Sequence, residues 1–295
     1  MTRRHSFSRW ALAGLLLAAM PGVLAACGGG SKKTAAKAAK VAITISEAGK
    51  SASYSIPATI RGGLVDLSIT NSGKGPHGAQ LVRLEGNHTP QQALKIINSN
   101  GPSTKTPAWI RGQGGVGAIG PGQTVTATLN LPTGKYFVVD APGPGSSGPP
   151  GYRQFTVTAG KNGSLPSTPT TIDAANPSKD HFKWDISGAP LKAGRNTVTF
   201  KSDGKQALHL ISAFRLTGNA TNAQIVKALK TNGPPPKFVD RTSFYSTAVL
   251  DGGSSQTTPL PLTRPGKYVL FCPLTDRNGG KPHFEEGMLT TVTVK

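Results

Sequence analysis

Sulfur-containing residues are scarce in this sequence, with two cysteines and three methionines among 295 residues. Met1 and Met20 lie within the first 26 residues, which leaves Met288 as the one methionine beyond them. Cys272 lies sixteen residues before it. Because both residue types are so rare here, their proximity is not explained by random filling of a hydrophobic core. The stretch 272–288 is therefore the first candidate site.

Long apolar runs are also lacking, apart from one at residues 10–24. It follows three arginines, is too short for a membrane-spanning helix and ends in small residues, which indicates an export signal. Its end, Leu24-Ala25-Ala26-Cys27, resembles the lipobox of bacterial lipoproteins, in which the cysteine is acylated after cleavage. An ordinary secretory signal with an Ala-x-Ala site is the alternative. We predict a signal peptide over 1–26 and lipidation of Cys27.

Residues 27–40 contain four lysines on a Gly/Ala-rich background and are predicted to be a basic tether. An acylated cysteine and a basic stretch together supply the two signals that stable membrane anchoring needs. We therefore predict an extracytoplasmic protein that is lipid-anchored to the cell membrane, so that the membrane is a partner through this anchor. Lipidation of Cys27 also leaves Cys272 without a disulfide partner.

Acidic residues are few, with 13 Asp and Glu against 33 Lys and Arg and a net charge of +20. Such an excess can indicate nucleic-acid binding. Here the basic residues are scattered singly rather than clustered with aromatic residues, and nucleic acid is not expected outside the membrane. We predict no nucleic-acid partner and a solvated basic surface near anionic lipid or wall polymers.

An internal repeat with an offset of 132 residues divides the sequence. The segment that begins at His77 matches the segment that begins at His209, and three further short motifs match in the same register. The repeat predicts two domains, 41–159 and 181–295. Residues 160–180 are rich in Ser, Thr, Pro, Gly and Asn, which predicts a linker.

Short runs that alternate apolar and polar residues fill both halves and predict antiparallel strands. Each half also has one helix signal. Thr89 and Thr221 begin capping boxes that Gln92 and Gln224 complete. These patterns predict an all-β protein of two tandem β-sandwiches, each with one short helical insertion.

The candidate site begins where a predicted strand ends at Cys272. His283 and Met288 follow with a His-x4-Met spacing, and His209 lies at the end of an earlier strand. A thiolate, two imidazoles and a thioether form a donor set that suits copper. This arrangement resembles the C-terminal end of the cupredoxins, the blue-copper domain family. The resemblance implies two tandem cupredoxin-like Greek-key sandwiches and one copper per chain, held in the C-terminal domain by His209, Cys272, His283 and Met288.

The loop between Cys272 and His283 departs from the family, because ten residues intervene where the family usually has only a few. We expect residues 276–280 to form a small turn that folds outward before the chain returns. An apolar shell that limits water at the metal is expected from four residues: Phe271, Pro273, Pro282 and Phe284.

The first half lacks most of these ligands. The 132-residue offset places Asp140 at the position of Cys272, and the Gly/Pro-rich loop that follows contains no histidine. Tyr152 lies near the position of Met288, so that His77 alone remains of the four. We predict that the domain over 41–159 binds no copper and that His77 is either a relic of a metal site or a hydrogen-bonding residue at a strand end.

The resemblance implies electron transfer or copper handling with a redox partner protein, without enzymatic activity. Cys272 and His283 also resemble a thiol nucleophile and its base, but no orienting residue or oxyanion-hole motif accompanies them. Zinc accepts one Cys and two His but does not seek a thioether such as Met288. The alternative is a metal-free, cupredoxin-shaped interaction module that binds a protein or an envelope component.

Overall fold

The computed structural model describes residues 37–49, 51–99, 105–141, 151–178, 181–205, 207–231 and 233–295. The predicted signal peptide over 1–26, the predicted lipidation site Cys27 and most of the predicted tether over 27–40 lie outside the described residues. In the part of the chain that is described, no helix has the length and apolar character needed to cross a membrane. Below, residues 37–159 are called the first half and residues 160–295 the second half.

The described chain is all-β, as predicted, with two short α-helices. The first half contains β1 (Ala39–Ala48), β2 (Ser51–Ser55), β3 (Thr59–Arg61), β4 (Gly63–Asn71), β5 (His77–Leu84), α1 (Pro90–Asn98), β6 (Ile110–Ile119), β7 (Thr124–Leu131), β8 (Gly134–Val139) and β9 (Tyr152–Thr158). The second half contains β10 (Thr170–Ser178), β11 (His181–Gly188), β12 (Gly194–Ser202), β13 (Leu208–His209), β14 (Ser212–Leu216), α2 (Asn222–Lys230), β15 (Val239–Ser246), β16 (Leu250–Asp251), β17 (Ser254–Leu262), β18 (Gly266–Phe271), a 3-10 helix (His283–Glu285) and β19 (Leu289–Val294).

Both predicted helices are confirmed, together with their capping boxes. The side chain of Thr89 accepts from the main-chain N–H of Gln92, and the side chain of Gln92 accepts from the N–H of Thr89. Thr221 and Gln224 make the same reciprocal pair in α2. The helices begin at positions 90 and 222, and β8 and β18 begin at positions 134 and 266, so both pairs keep the 132-residue spacing of the sequence repeat.

The prediction of two tandem Greek-key β-sandwiches is wrong, because the two halves share their sheets. An eight-stranded sheet has the order β11-β10-β12-β17-β7-β4-β1-β2 and a seven-stranded sheet has the order β13-β16-β6-β5-β8-β9-β3. Each contains strands of both halves, while a four-stranded sheet, β15-β14-β18-β19, belongs to the second half. The chain winds through these sheets in about five turns, like a β-solenoid, although most ladders are antiparallel.

Short ladders join the halves. Gln256 and Thr257 of β17 pair with Leu129 and Thr128 of β7, and β16 pairs with β6 through a single residue pair. The Gln80 side chain adds to this join, because it accepts from the N–H of Val249 and donates to its carbonyl oxygen. Two independent sandwiches would leave these strand edges without partners, and alternation in a sequence does not reveal which strand will lie beside an edge.

The predicted linker over 160–180 is only partly irregular. Strand β10 occupies Thr170–Ser178, where it pairs antiparallel with β11 and parallel with β12. The domain limits drawn around that linker, 41–159 and 181–295, stay a prediction.

Two main hydrophobic cores lie between the sheets, one in each half. The first is built around fully buried residues such as Ile45, Leu67 and Leu81. The second, called the second core here, contains Phe200 and Leu270 together with Cys272 and Met288. Two smaller clusters lie beneath the helices α1 and α2. The candidate ligands are therefore embedded in the second core.

Candidate metal centre

His209 is the last residue of the two-residue strand β13. Antiparallel pairing aligns it with Leu250 of β16, next to the join between the halves. Its side chain is fully buried. The short strand thus holds an imidazole inside the second core, where a histidine without a partner is costly.

Cys272 follows β18 directly, and β18 lies between β14 and β19 in the four-stranded sheet. Its thiol is free and fully buried. The N–H of Cys272 donates to the carbonyl oxygen of Met288 at 3.2 Å, and its carbonyl oxygen accepts from the N–H of Phe284 at 3.0 Å. Main-chain hydrogen bonds on both sides therefore fix the backbone of Cys272, which carries the thiol.

Main-chain hydrogen bonds also hold His283 and Met288 close to Cys272. The N–H of His283 donates to the carbonyl oxygen of Leu274 at 2.8 Å, and the N–H of Met288 donates to the carbonyl oxygen of His283 at 2.8 Å. The ten residues between Cys272 and His283, called the metal-site loop here (residues 273–282), thus close on themselves. Their unusual number does not draw His283 away from the thiol.

The ligand atoms of His209, Cys272 and His283 all lie within 4.8 Å of one another, and each side chain is buried. Met288 is fully buried in the same core as Cys272. None of the four ring nitrogens of His209 and His283 has a hydrogen-bond partner among the described residues. Buried polar groups are almost always paired, so two orphaned imidazoles beside a thiol fit a metal ion.

The pKa values of the two histidines are shifted in opposite directions. Burial and the neighbouring His283 lower the pKa of His209 to about 3. Burial also lowers the pKa of His283, but the Asp276 carboxylate and Cys272 outweigh it and raise this pKa to about 9. The Asp276 Oδ1 atom lies 3.4 Å from His283 Nε2. At neutral pH, His209 therefore keeps both its neutral form and a free lone pair.

Phe182 of β11 covers the site, and sequence reasoning missed it. Its ring stacks on His283 with centroids 4.0 Å apart and meets His209 edge-on at 5.6 Å. The N–H of Phe182 donates to the carbonyl oxygen of Glu286, which ties β11 to the chain just after His283. Phe182 begins an alternating strand pattern, but no local signal connects that strand to a site about 100 residues later.

The predicted apolar shell is formed in part. Phe271 and Phe284 are buried and contact each other edge-on at 6.2 Å, but they belong to the cluster beneath α2 rather than to the second core. Pro273 is exposed and Pro282 half-buried. Phe182 is thus the aromatic residue that contacts both candidate imidazoles.

The expectation that residues 276–280 form an outward turn is wrong in one respect. The N–H of Gly279 does close a turn on the carbonyl oxygen of Asp276 at 2.9 Å. However, the Arg277 side chain within that turn is buried and forms an ion pair with the buried Asp251. A turn that carries an arginine into the protein is a structural contact rather than a spacer.

The corresponding end of the first half holds a hydrogen-bonded network, one of the two outcomes predicted for His77. His77 Nδ1 lies 2.8 Å from Asp140 Oδ2, and His77 Nε2 lies 3.2 Å from Glu47 Oε1. The other Asp140 oxygen accepts from the N–H of Gly78. Both imidazole nitrogens are therefore occupied, on opposite sides of the ring.

No family model matches this chain, and no curated protein matches it. Among solved structures, it is similar to a multicopper oxidase, at 16% identity over 87% of this chain and 88% of that one, with a TM-score of 0.24. It is similar to dithionite-reduced auracyanin from Roseiflexus castenholzii, at 21% identity over 41% of this chain and 98% of that one, with a TM-score of 0.27. It is also similar to a blue copper oxidase from Nitrosomonas europaea, at 15% identity over 88% and 86%, with a TM-score of 0.23. Similarity at this level does not establish a common fold, and a metal centre is supported here by the geometry of the residues themselves.

Proposed function

We propose that this protein is a copper-binding protein anchored outside the cytoplasmic membrane, which carries electrons or handles copper through one site in its second half. The observation that supports the proposal is a pair of buried imidazoles whose ring nitrogens have no hydrogen-bond partner among the described residues, with one ligand atom of each ring within 4.8 Å of the Cys272 sulfur. His209, Cys272 and His283 would hold the ion, with Met288 as a weaker fourth ligand.

The donor set favours copper over zinc. Zinc accepts one thiolate and two imidazoles, but its usual ligands do not include a thioether. A thiolate and two imidazoles with a distant methionine form the ligand set of electron-transfer copper sites. Met288 is fully buried in the core that contains Cys272, so its thioether would be available as the weaker fourth ligand.

Burial supports a carrier rather than an oxidase. His209, Cys272 and His283 are each 0% exposed, and Phe182 stacks over one imidazole. When bound, copper would supply one-electron chemistry. The surrounding residues would keep the ligands fixed and exclude water, which leaves no open position for a substrate. Electrons can cross a closed shell, so a redox partner protein is part of this proposal, and nucleic acid is not.

Anchoring is proposed from the sequence alone. Cys27 would carry the lipid, and residues 27–40 would connect it to the folded part. Replacement of Cys27 by Ser should release the protein from membranes or leave its precursor uncleaved, because four lysines supply only about 1 kcal/mol each at an anionic surface. Fractionation in high salt provides the test, and equal membrane retention of the variant would contradict the anchor.

Copper titration of the soluble part, purified without added metal, tests the central proposal. We expect one copper per chain and an intense thiolate-to-copper absorption, which Cys272→Ser abolishes. His77→Ala in the first half is the control and should leave both unchanged. A colourless protein that retains zinc would contradict the copper assignment, and a protein that binds no metal would favour the interaction module.

A further inference from the structure

The metal-site loop is attached to the first half through one buried arginine. Arg277 is 3% exposed, and its guanidinium contacts Asp251 Oδ2 at 2.5 Å. The same guanidinium donates to the carbonyl oxygens of Thr106 at 3.3 Å and Pro107 at 2.9 Å. The N–H of Thr106 donates back to the carbonyl oxygen of Arg277 at 2.8 Å. Side chain and main chain are thus both fixed.

The residue before this arginine faces the candidate metal centre. Asp276 Oδ1 lies 3.4 Å from His283 Nε2, and neither atom has a hydrogen-bond partner among the described residues. The Asp276 side chain is 33% exposed as a whole, although the Oδ1 atom that faces His283 is buried. A half-buried aspartate in a long loop would not stay against a buried imidazole unless the loop itself were held in place.

We propose that Arg277 is a positioning residue, which holds Asp276 behind His283. This inference rests on the proposed copper function. A carboxylate that accepts from one ring nitrogen of a ligating histidine fixes its tautomer and makes the other nitrogen a stronger donor. Asp276 would accept from Nε2 and leave Nδ1 to the metal, while the first half would fix the loop that carries both residues.

The proposal has a consequence for the reduction potential. A negative charge behind a ligand stabilises Cu(II) relative to Cu(I) and lowers the potential. Replacement of an outer partner of a metal ligand typically changes metal affinity by about 10–100-fold. We therefore expect Asp276→Asn to weaken Cu(II) relative to Cu(I) by at least about tenfold, which corresponds to an increase of about 59 mV for a one-electron couple.

The sign of the shift separates positioning from simple charge. If Arg277 acted only through its positive charge, its removal would stabilise Cu(II) and lower the potential. If it positions Asp276, its removal frees the carboxylate and raises the potential, as Asp276→Asn does. Lys281→Met is the matched control, because Lys281 is an exposed cation in the same loop and its loss removes the same charge without the anchor.

The experiment measures copper stoichiometry, thiolate absorption and reduction potential in the full-length protein loaded with copper alone. We expect a higher potential for Asp276→Asn and for Arg277→Met, no further increase in the double variant, and a lower or unchanged potential for Lys281→Met. Arg277→Met leaves Asp251 with less charge compensation, so Arg277→Met/Asp251→Asn is measured in parallel to keep the fold intact.

Two results overturn the proposal. If Asp276→Asn binds copper with an unchanged potential, the Asp276 carboxylate does not influence the copper site. A lower potential in Arg277→Met, alone or with Asp251→Asn, would show that Arg277 acts only through its positive charge. Both results leave the copper function standing, whereas a wild-type protein that binds no copper rejects the function and this inference together.

Discussion

The two halves contain corresponding strand ends 132 residues apart, but the buried imidazoles at these ends differ in their hydrogen bonding. In the first half, His77 lies between Asp140 and Glu47, so that both ring nitrogens contact a carboxylate. In the second half, a cysteine replaces that aspartate, and no ring nitrogen of His209 or His283 has a hydrogen-bond partner among the described residues. The Asp276 carboxylate lies near His283, but at 3.4 Å from Nε2.

The difference separates an end whose imidazole is hydrogen-bonded within the protein from the end where we propose a metal ion. A buried histidine that serves only packing is expected to be hydrogen-bonded, and His77 meets that expectation. Two adjacent imidazoles left unpaired in one core would lower stability unless something else occupies them. The hydrogen-bonded end therefore serves as an internal reference for the end where a metal ion is proposed.

The largest expected effect comes from exchanging the residues that distinguish the two ends. Cys272→Asp copies the first half into the second and should abolish thiolate absorption, with copper affinity reduced by more than the ~10–100-fold typical of outer-partner mutations. Asp140→Cys is the reciprocal control and should add no absorption, because His77 alone cannot complete a site. Retained absorption in Cys272→Asp, or a second band in Asp140→Cys, would contradict the comparison. Absorption spectra at matched copper loading decide it.

Copper should stabilise the whole folded unit and not the second half alone. Free copper at 1,000 times its Kd stabilises a native state by about 4.1 kcal/mol. Because two sheets are shared between the halves, we expect a single unfolding transition that copper shifts as a whole. Urea unfolding followed by fluorescence and circular dichroism measures it, with Cys272→Asp as the control that copper should not shift. Two separate transitions, of which only one responds to copper, would contradict this prediction.

Loss of the carboxylate in the first half should affect stability without affecting copper. Asp140→Ala leaves the N–H of Gly78 and one nitrogen of His77 without partners, at a cost of about 1–3 kcal/mol. Copper stoichiometry and absorption should stay as in the wild type. Asp185→Ala, at an exposed position of β11, is the matched control and should change the urea midpoint little. A change in copper binding caused by Asp140→Ala would show that the first half contributes to the site.

Local chemistry was predictable from the sequence, because it depends on neighbouring residues. The capping boxes at Thr89 and Thr221 need only a Gln three residues later, and both are present in the structure. Cys272 and His283 are close in the sequence and are joined by main-chain hydrogen bonds of the metal-site loop, whereas His209 reaches them from β13 in a different sheet. Met288 adds a donor type that has little reason to lie there otherwise.

Long-range packing was not predictable in the same way. The ladder between β17 and β7 consists of two residue pairs, and nothing in either strand's alternation identifies its neighbour. Arg277 lies in a polar stretch that is typical of a surface turn, yet its partners are a carboxylate and two carbonyl groups far away in the sequence. Phe182 reaches the site only because β11 is folded against the chain after His283.

The smallest expected effect concerns pH, and it distinguishes the two candidate histidines from each other. The pKa of His283, about 9, lies above its ordinary value, so the metal-free protein carries a proton on this ring at pH 7 that copper must displace. The pKa of His209, about 3, means that this ring releases no proton in the same range. Copper affinity should therefore rise with pH from 7 to about 9, and the contribution of His283 should level off above that.

Calorimetry at pH 7 in buffers of different ionisation enthalpy counts the protons that copper binding releases. Asp276→Asn, which removes the carboxylate that raises this pKa, should release fewer than the wild type. Equal proton release by both proteins would show that Asp276 does not control the protonation of His283.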